Sequence, residues 1–486
     1  MNKANISTVP EAKSVKVNTI YVYLLSVVAA LGGLLFGYDT AVISGAIGFL
    51  QAHFDLSAAY TGWAASSALL GCIIGVGIAG IMSDTFGRKK TLLIAAVFFL
   101  ISAIGTAIPE TFIQFIIFRI IGGVGVGAAS ITAPMYIAEI SPAAIRGRMV
   151  SINQFAIILG MLVVYFVNYF IAGQGELTWN ISTGWRWMFA SEAIPASLLF
   201  AALLFVPETP RWLIQQKRET EALHVLSRVS GGIKGQEQLE GIKETIALEE
   251  SGSVRQLIQP GFRFVLVVGI VLAVLQQVTG INVFLYYAPE IFKELGSGVN
   301  TALLQTVVVG GVNLAFTLIA IAIIDKIGRR PLLIGGAIGM GASLTALGIA
   351  SYIQAIGVWA LIYILGYIAC FALSVGPITW VVLSEIFPTR LRGRAMGIAA
   401  LFLWGANFLV SQTFPLMSEN PWLLEHFNQA FPFWMNALMC AVTALFVWFF
   451  IPETKEKSLE EIEQMWNKRF GIFKPRKVKE IDEVKR

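Results

Sequence analysis

Twelve apolar stretches, each long enough to cross a bilayer, constrain this chain more than any other feature. A membrane-spanning helix needs roughly 20 apolar residues. Stretches of that kind lie near residues 20–48, 62–83, 90–108, 112–140, 149–173, 187–206, 264–292, 301–324, 331–351, 357–386, 395–417 and 431–451. Lipid offers no partner to backbone N–H and C=O groups, so each stretch must satisfy its own as a helix. Of the residues, 56% are hydrophobic and 13% are charged, against about 25% charged in an ordinary soluble domain. The chain cannot cover a water-facing surface with so few polar groups. The first apolar run is also too long for the core of a cleavable signal peptide and lacks a clear cleavage site, so it is expected to stay in the protein. The expectation is an all-α membrane protein with twelve transmembrane helices.

Positive charge orients such a chain. The connections after spans 2, 4, 6, 8 and 10 read GRKK, IRGR, PRWLIQQKR, GRRP and TRLRGR. Those after the odd spans are nearly free of Lys and Arg, with Lys293 and Arg186 as exceptions. Both termini are therefore expected in the cytoplasm. The net charge of +5 is a topology signal rather than a nucleic-acid surface. The three cysteines, Cys72, Cys370 and Cys440, fall in apolar runs without metal-ligand spacing and read as small apolar fillers. His53, His224 and His426 lie outside the span cores. No metal cluster, nucleophile elbow or phosphate loop is legible, so neither an enzyme nor a cofactor is expected.

The chain repeats itself. SDTFGRKK (83–90) matches IDKIGRRP (324–331), AEISPAAIRGR (138–148) matches SEIFPTRLRGR (384–394), and PETPRW (207–212) matches PETKEK (452–457). Asp325 follows Asp84 by 241 residues, Glu385 follows Glu139 by 246, and Glu453 follows Glu208 by 245. Three matched pairs at nearly one offset imply two homologous six-span halves, an arrangement that places a substrate site between the halves near the membrane midplane. The expected organisation is a cytoplasmic N-terminal segment (1–19), a first half (20–206), a cytoplasmic helical linker (207–263), a second half (264–451) and a cytoplasmic tail (452–486). The linker shows helical spacing of Leu, Val and Ile, broken at Gly231–Gly232.

The motifs GGLLFGYDTAVISG, R-x-x-GG-x-G-x-G, PETPRWL, QQVTGINVFLYYAPEIF and GPITWVVLSEIFPTRLRG stand together in this chain. With them it resembles the sugar porters of the major facilitator superfamily across nearly its whole length after residue 20. QFAII, CIIG, GWRWMFASEAIPA and LYYAPEIF most resemble the bacterial proton–D-xylose symporters. Human facilitative glucose transporters are similar too, but generally lack a carboxylate at the position of Asp39. The resemblance implies a monosaccharide symporter of the bacterial cytoplasmic membrane, working by alternating access and as a monomer. Its partners would be sugar, protons and lipid, with no nucleic acid, and the proton gradient would stand in place of a cofactor. An uncoupled facilitator and a polyol or inositol symporter are the alternatives. A transporter-like sugar sensor fits less well, because the tail after Glu453 is short.

Three charges stand in apolar surroundings: Asp39, Arg119 and Glu192. Intramembrane charges are costly and are by default functional. A coupled transporter needs a titratable group that can face each side in turn, and the resemblance implies that Asp39 and Arg119 meet between spans 1 and 4. A static ion pair that only aligns helices is the bland alternative. Sugars need amide donors and acceptors with aromatic faces. Gln276, Gln277 and Asn282 in span 7, with Gln154 and Asn313, supply amides, and Trp380 and Trp404 supply platforms. Phe36 and Tyr286 are candidate walls, with Asn407 a further amide. The resemblance assigns these positions to a central sugar site. Met161 and Leu403 stand where the xylose symporters carry glutamine, which makes the expected pocket more apolar and admits hexoses such as glucose or galactose. Gly280 and Gly376-Pro377 weaken their helices next to that site, and Gly376 counts among the residues expected to line it. Asp84, Arg88, Glu139, Arg146 and Glu208, with their counterparts Asp325, Arg329, Glu385, Arg392 and Glu453, are expected to form a cytoplasmic latch whose pairs cross between halves in the outward-facing state.

Overall fold

The computed structural model describes residues 18–249, 260–354, 358–387 and 392–455. The expected N-terminal segment and tail fall mostly outside the described residues, as do parts of the linker and of the loop before span 11. Among the described residues, twelve helices are long and apolar enough to cross a membrane. Spans 1 to 6 are Thr19–Phe54, Ala58–Phe86, Arg88–Ala107, Phe112–Ile140, Arg146–Ala172 and Leu177–Phe205. Spans 7 to 12 are Phe262–Tyr286, Val299–Ile327, Arg329–Tyr352, Trp359–Ile386, Gly393–Ser418 and Ala430–Phe450.

The repeat governs packing as well as sequence. In the first half span 1 packs on 5, span 2 on 4 and span 3 on 6; in the second, 7 packs on 11, 8 on 10 and 9 on 12. Glycine sets the closest of these approaches. A Cβ on Gly71 would stand 2.8 Å from the Gly123 Cα, so spans 2 and 4 touch backbone to backbone, as small residues permit in helices without a hydrophobic drive to associate. Spans 2 and 3 are separated by Gly87 at φ 96°, and spans 8 and 9 by Gly328 at φ 99°, a conformation open to glycine at little cost. Between the halves, spans 2 and 11, 5 and 8, and 1 and 7 carry the packing.

Three spans are broken where sites form. Span 7 breaks at Gly280, φ 93°, between helices Pro260–Val278 and Ile281–Tyr286. Span 10 breaks at Ser374, two residues before the Gly376-Pro377 pair to which the sequence pointed. Span 6 carries a π-helical turn, Asn180–Gly184, and restarts at Ala193 after Ser191 and Glu192. π-Turns of this kind often mark functional positions. Beyond span 6, helices Pro210–Gln215, Glu219–Ser230 and Gly232–Glu249 form the described part of the linker. The second of these meets the start of span 1, where Asn18 N–H donates to the Val229 carbonyl at 2.9 Å and Arg228 lies 4.6 Å from the Tyr21 ring centroid.

Candidate functional site

The structure gathers Asp39, Arg119 and Glu192 in one dry cluster. Asp39 is 0% exposed, and Arg119 and Glu192 are each 1% exposed. Arg119 Nη1 donates to Asp39 Oδ1 at 2.5 Å and to the Asp39 carbonyl at 3.2 Å. The Phe189 ring covers the guanidinium, 5.5 Å from centroid to Cζ. Glu192 reaches the cluster because span 6 breaks at that residue, close enough to Asp39 for the two carboxyl groups to act on each other electrostatically. Asp39 Oδ2, Glu192 Oε1 and Arg119 Nε have no hydrogen-bond partner among the described residues. One guanidinium thus faces two carboxyl groups, an arrangement that stabilises an added proton, since a second bare carboxylate in a dry interior is costly.

The amides of span 7 form a chain. Asn282 Nδ2 donates to Gln277 Oε1 at 2.5 Å, and Gln277 Nε2 donates to Gln276 Oε1 at 3.3 Å. Gln276 Nε2 then donates to the carbonyls of Val375, at 3.1 Å, and Gly376, at 2.8 Å. Those carbonyls lie just past the break in span 10, so Gln276 ties the breaks of spans 7 and 10 together. In this structure its amide nitrogen donates to the Gly376 carbonyl, so these two candidate lining groups hold one another. Phe36 and Trp404 meet across the halves with ring centroids 5.5 Å apart. Asn407 Nδ2 donates to Tyr286 Oη at 3.4 Å and Asn407 Oδ1 accepts from Ser411 Oγ at 3.0 Å. Tyr286 also feels the charges of Asp39 and Arg119, which places a wall of the candidate sugar site beside the proton cluster. Gln154 and Trp380 are half-buried and Asn313 is buried. None of the three hydrogen-bonds to a described side chain. Leu403 is buried beside Trp404, and Met161 packs from span 5 near Gly37 of span 1.

The repeated charges Arg88, Glu139, Arg329 and Glu385 pair within their own halves. In the first half Arg88 Nε donates to Glu139 Oε1 at 3.2 Å, Arg88 Nη2 lies 3.4 Å from Asp84 Oδ1, and Thr209 Oγ1 donates to Glu139 Oε2 at 2.6 Å. In the second, Arg329 Nε donates to Glu385 Oε1 at 3.2 Å, Arg329 Nη1 lies 3.1 Å from Asp325 Oδ1, and Thr454 Oγ1 donates to Glu385 Oε2 at 2.5 Å. Glu208 accepts the backbone N–H groups of Arg88 and Lys89, and Glu453 those of Arg329 and Arg330. Each carboxylate so caps the positive end of a helix dipole. The cross-half pairing expected of these residues is not found among their described members in this structure. Arg146 is exposed at the start of span 5, and the Arg392 side chain lies outside the described residues.

The two caps are not equivalent. Burial pushes the Glu208 carboxyl group above the usual carboxylate range, in spite of its N–H donors. Burial acts on Glu453 too, but the N–H groups of Lys455, Arg329 and Arg330 outweigh it and hold this carboxyl group below that range. The stabilising contribution of Glu453 is therefore present above its unfolded value and fades as pH falls through the folded one. That of Glu208 runs the other way, largest below the unfolded value and lost as pH rises through the folded one. Glu453→Gln is expected to lower stability at neutral pH by about 1 kcal/mol, and Glu208→Gln by less. Thermal unfolding of the two purified variants compares them; a larger loss for Glu208→Gln contradicts the asymmetry.

Several members of these sites carry no sequence signal of their own. Tyr38 Oη and Ser191 Oγ share a hydrogen bond of 2.7 Å beside Asp39 and Glu192. Phe189 is one apolar residue among many. Thr209 and Thr454 become visible only as neighbours of the repeated Glu208 and Glu453.

Twelve spans in two pseudo-repeated halves, with a dry charge cluster and an amide chain at mid-span, define a major facilitator transporter. The chain matches the family described as "Sugar (and other) transporter" over residues 25–466, and it belongs to that family. It is 48% identical over 475 residues to the D-xylose-proton symporter of Escherichia coli strain K12, covering 92% of this chain and 96% of that one. It is 46% identical to the arabinose-proton symporter of Bacillus subtilis strain 168, again covering 92% of this chain and 96% of the relative. Its structure is similar to the inward-open conformation of the xylose transporter XylE from E. coli, with a TM-score of 0.81 and 46% identity over 92% of this chain and all of that one. The homologues and the fold are those of transporters, not enzymes.

Proposed function

We propose that this protein carries a monosaccharide, D-xylose first among candidates, into the cell together with a proton by alternating access. The observation that carries this reading is the Asp39–Arg119–Glu192 cluster, in which one guanidinium pairs with Asp39 while a second carboxyl group, that of Glu192, lies buried beside them. An uncoupled facilitator has no use for a second buried carboxyl group at that position. The names of the two curated relatives, a xylose and an arabinose symporter driven by protons, agree with it. Protonation of the pair releases Arg119 and lets the loaded halves rock. Sugar binds between the halves among Phe36, Gln154, Gln277, Asn282, Asn313, Tyr286, Trp380 and Trp404, and Tyr286 links the two events. The basic loops after the even spans and the basic tail favour a multi-pass protein of the bacterial cytoplasmic membrane with both termini inside. The gradient supplies the drive without a cofactor, and one chain contains both halves of the site. Uptake of labelled xylose into proteoliposomes, with and without an imposed pH gradient, tests this. Equal plateau levels in the two conditions overturn coupling.

Selectivity rests on Met161 and Leu403. If both line the pocket, Met161→Gln with Leu403→Gln adds hydrogen-bonding groups and shifts preference from hexose to pentose by about 1–2 kcal/mol, the worth of one or two net hydrogen bonds. Competition of labelled uptake by unlabelled glucose and xylose measures the ratio. An unchanged ratio removes these side chains from the pocket wall.

A further inference from the structure

The outer ends of the halves are closed on one another, and one side chain joins them with both ends of its amide. Gln412 of span 11 accepts from Ser66 Oγ of span 2 at 2.7 Å through Oε1, and donates to the Ala59 carbonyl of span 2 at 2.9 Å through Nε2. Ser66 is 0% exposed, so its hydroxyl has exchanged water for this one partner. The spans approach so closely here that a Cβ on Gly62 would stand 2.6 Å from the Gln412 carbonyl oxygen. About one turn away, Trp63 and Phe408 meet edge to face at 5.7 Å. Nearer the rim, Gln51 Nε2 donates to Glu419 Oε1 at 3.3 Å. At the cytoplasmic ends the charged pairs stay within their own halves.

We propose that Gln412 is a positioning residue of the transport cycle: a neutral, two-ended latch that holds the outer gate shut while the inside is open. The inference rests on the chain being a transporter that alternates between faces. Opening the outside separates span 2 from span 11 and breaks both hydrogen bonds of the amide at once. The Ser66 hydroxyl has no other partner in the closed interface, so the latch weights closed-outside against open-outside by the net worth of two hydrogen bonds. Removing it moves that equilibrium about tenfold towards outward-open. A latch made of an amide and a hydroxyl also keeps its strength as salt rises, unlike one made of exposed charges.

Gln412→Leu should lower the external half-saturation constant for sugar exchange and raise the internal one, changing their ratio about tenfold. Ser66→Ala should move it the same way by less, and the double variant no further than Gln412→Leu alone. Damage that is only structural lowers the maximal rate and leaves the ratio alone. Gln412→Glu keeps an acceptor for Ser66 and loses the donor to Ala59, so it should fall between wild type and Gln412→Leu; it stands in if the leucine variant does not fold. A second measurement uses no sugar. A membrane-impermeant maleimide should label Ser66→Cys from outside faster with Gln412→Leu than with Gln412 intact, by less than tenfold because the thiol has already weakened one of the two hydrogen bonds. An unchanged half-saturation ratio with unchanged labelling overturns the proposal. Absent sugar binding with accelerated labelling keeps the latch and overturns the reading of the chain as a sugar carrier.

Discussion

Asp39→Asn is expected to abolish accumulation of sugar driven by a pH gradient while leaving sugar exchange at equal concentrations intact. The wild-type carboxylate accepts Arg119 at 2.5 Å and is fully buried. An amide keeps its size and one acceptor but cannot take up and release a proton. It holds the site in a form like the protonated one throughout, so the halves can still rock with sugar aboard. With one proton moved per sugar, each pH unit across the membrane is worth about 1.4 kcal/mol, a tenfold accumulation; in the variant the ratio should fall to one. Arg119→Ala should do broader damage, because it leaves Asp39 and Glu192 facing each other without a cation, and breaking a buried pair on one side is strongly destabilising. Labelled uptake into proteoliposomes under an imposed gradient, beside counterflow without one, reads both properties. Wild-type accumulation by Asp39→Asn makes the carboxylate structural and turns the search to Glu192.

Gln277→Ala, Gln154→Ala and Trp380→Ala should each weaken sugar binding by roughly 1–3 kcal/mol, the cost of a lost hydrogen bond or stacking face. Gln276→Ala should behave differently although it is the next residue to Gln277. Its amide nitrogen donates to the Val375 and Gly376 carbonyls just past the span 10 break, so its loss removes the tie between the two broken spans and should lower thermal stability more than affinity. Calorimetric titration with xylose and thermal unfolding of the same samples separate the two effects. Wild-type affinity in all three of the first set dismantles the proposed sugar site. A Gln276→Ala protein of normal stability dismantles the distinction between the two neighbouring glutamines.

The spans were legible because a bilayer turns length and hydrophobicity into a near-binary code, and the repeat was legible because motifs return at one offset. Arg88 and Arg329 sit in the same surroundings down to their threonine neighbours. The pairing of Asp39 with Arg119 was foreseeable because a buried charge needs a counter-charge and few exist. Glu192 was flagged by the same cost. Its approach to Asp39 was not, since it depends on where span 6 breaks, and π-turns have weak sequence signals. The three amides of span 7 looked alike in sequence. Only their hydrogen bonds distinguish Gln276, which closes a helix break, from Gln277 and Asn282.

Gly280 announced a break in span 7 because a positive φ favours glycine. The break in span 10 fell at Ser374 instead of Gly376-Pro377, and the carbonyls just past it accept from a side chain about a hundred residues away in sequence. Which charges pair is likewise a tertiary decision. The sequence by itself determined the helices, their number, the twofold repeat and which rare polar residues had to be accounted for, because each follows from local composition and the expense of polarity in lipid. The tertiary structure decided that the repeated charges pair within halves and that one glutamine on span 11 bridges to span 2. Those depend on how the two halves lean on each other, which local composition does not set.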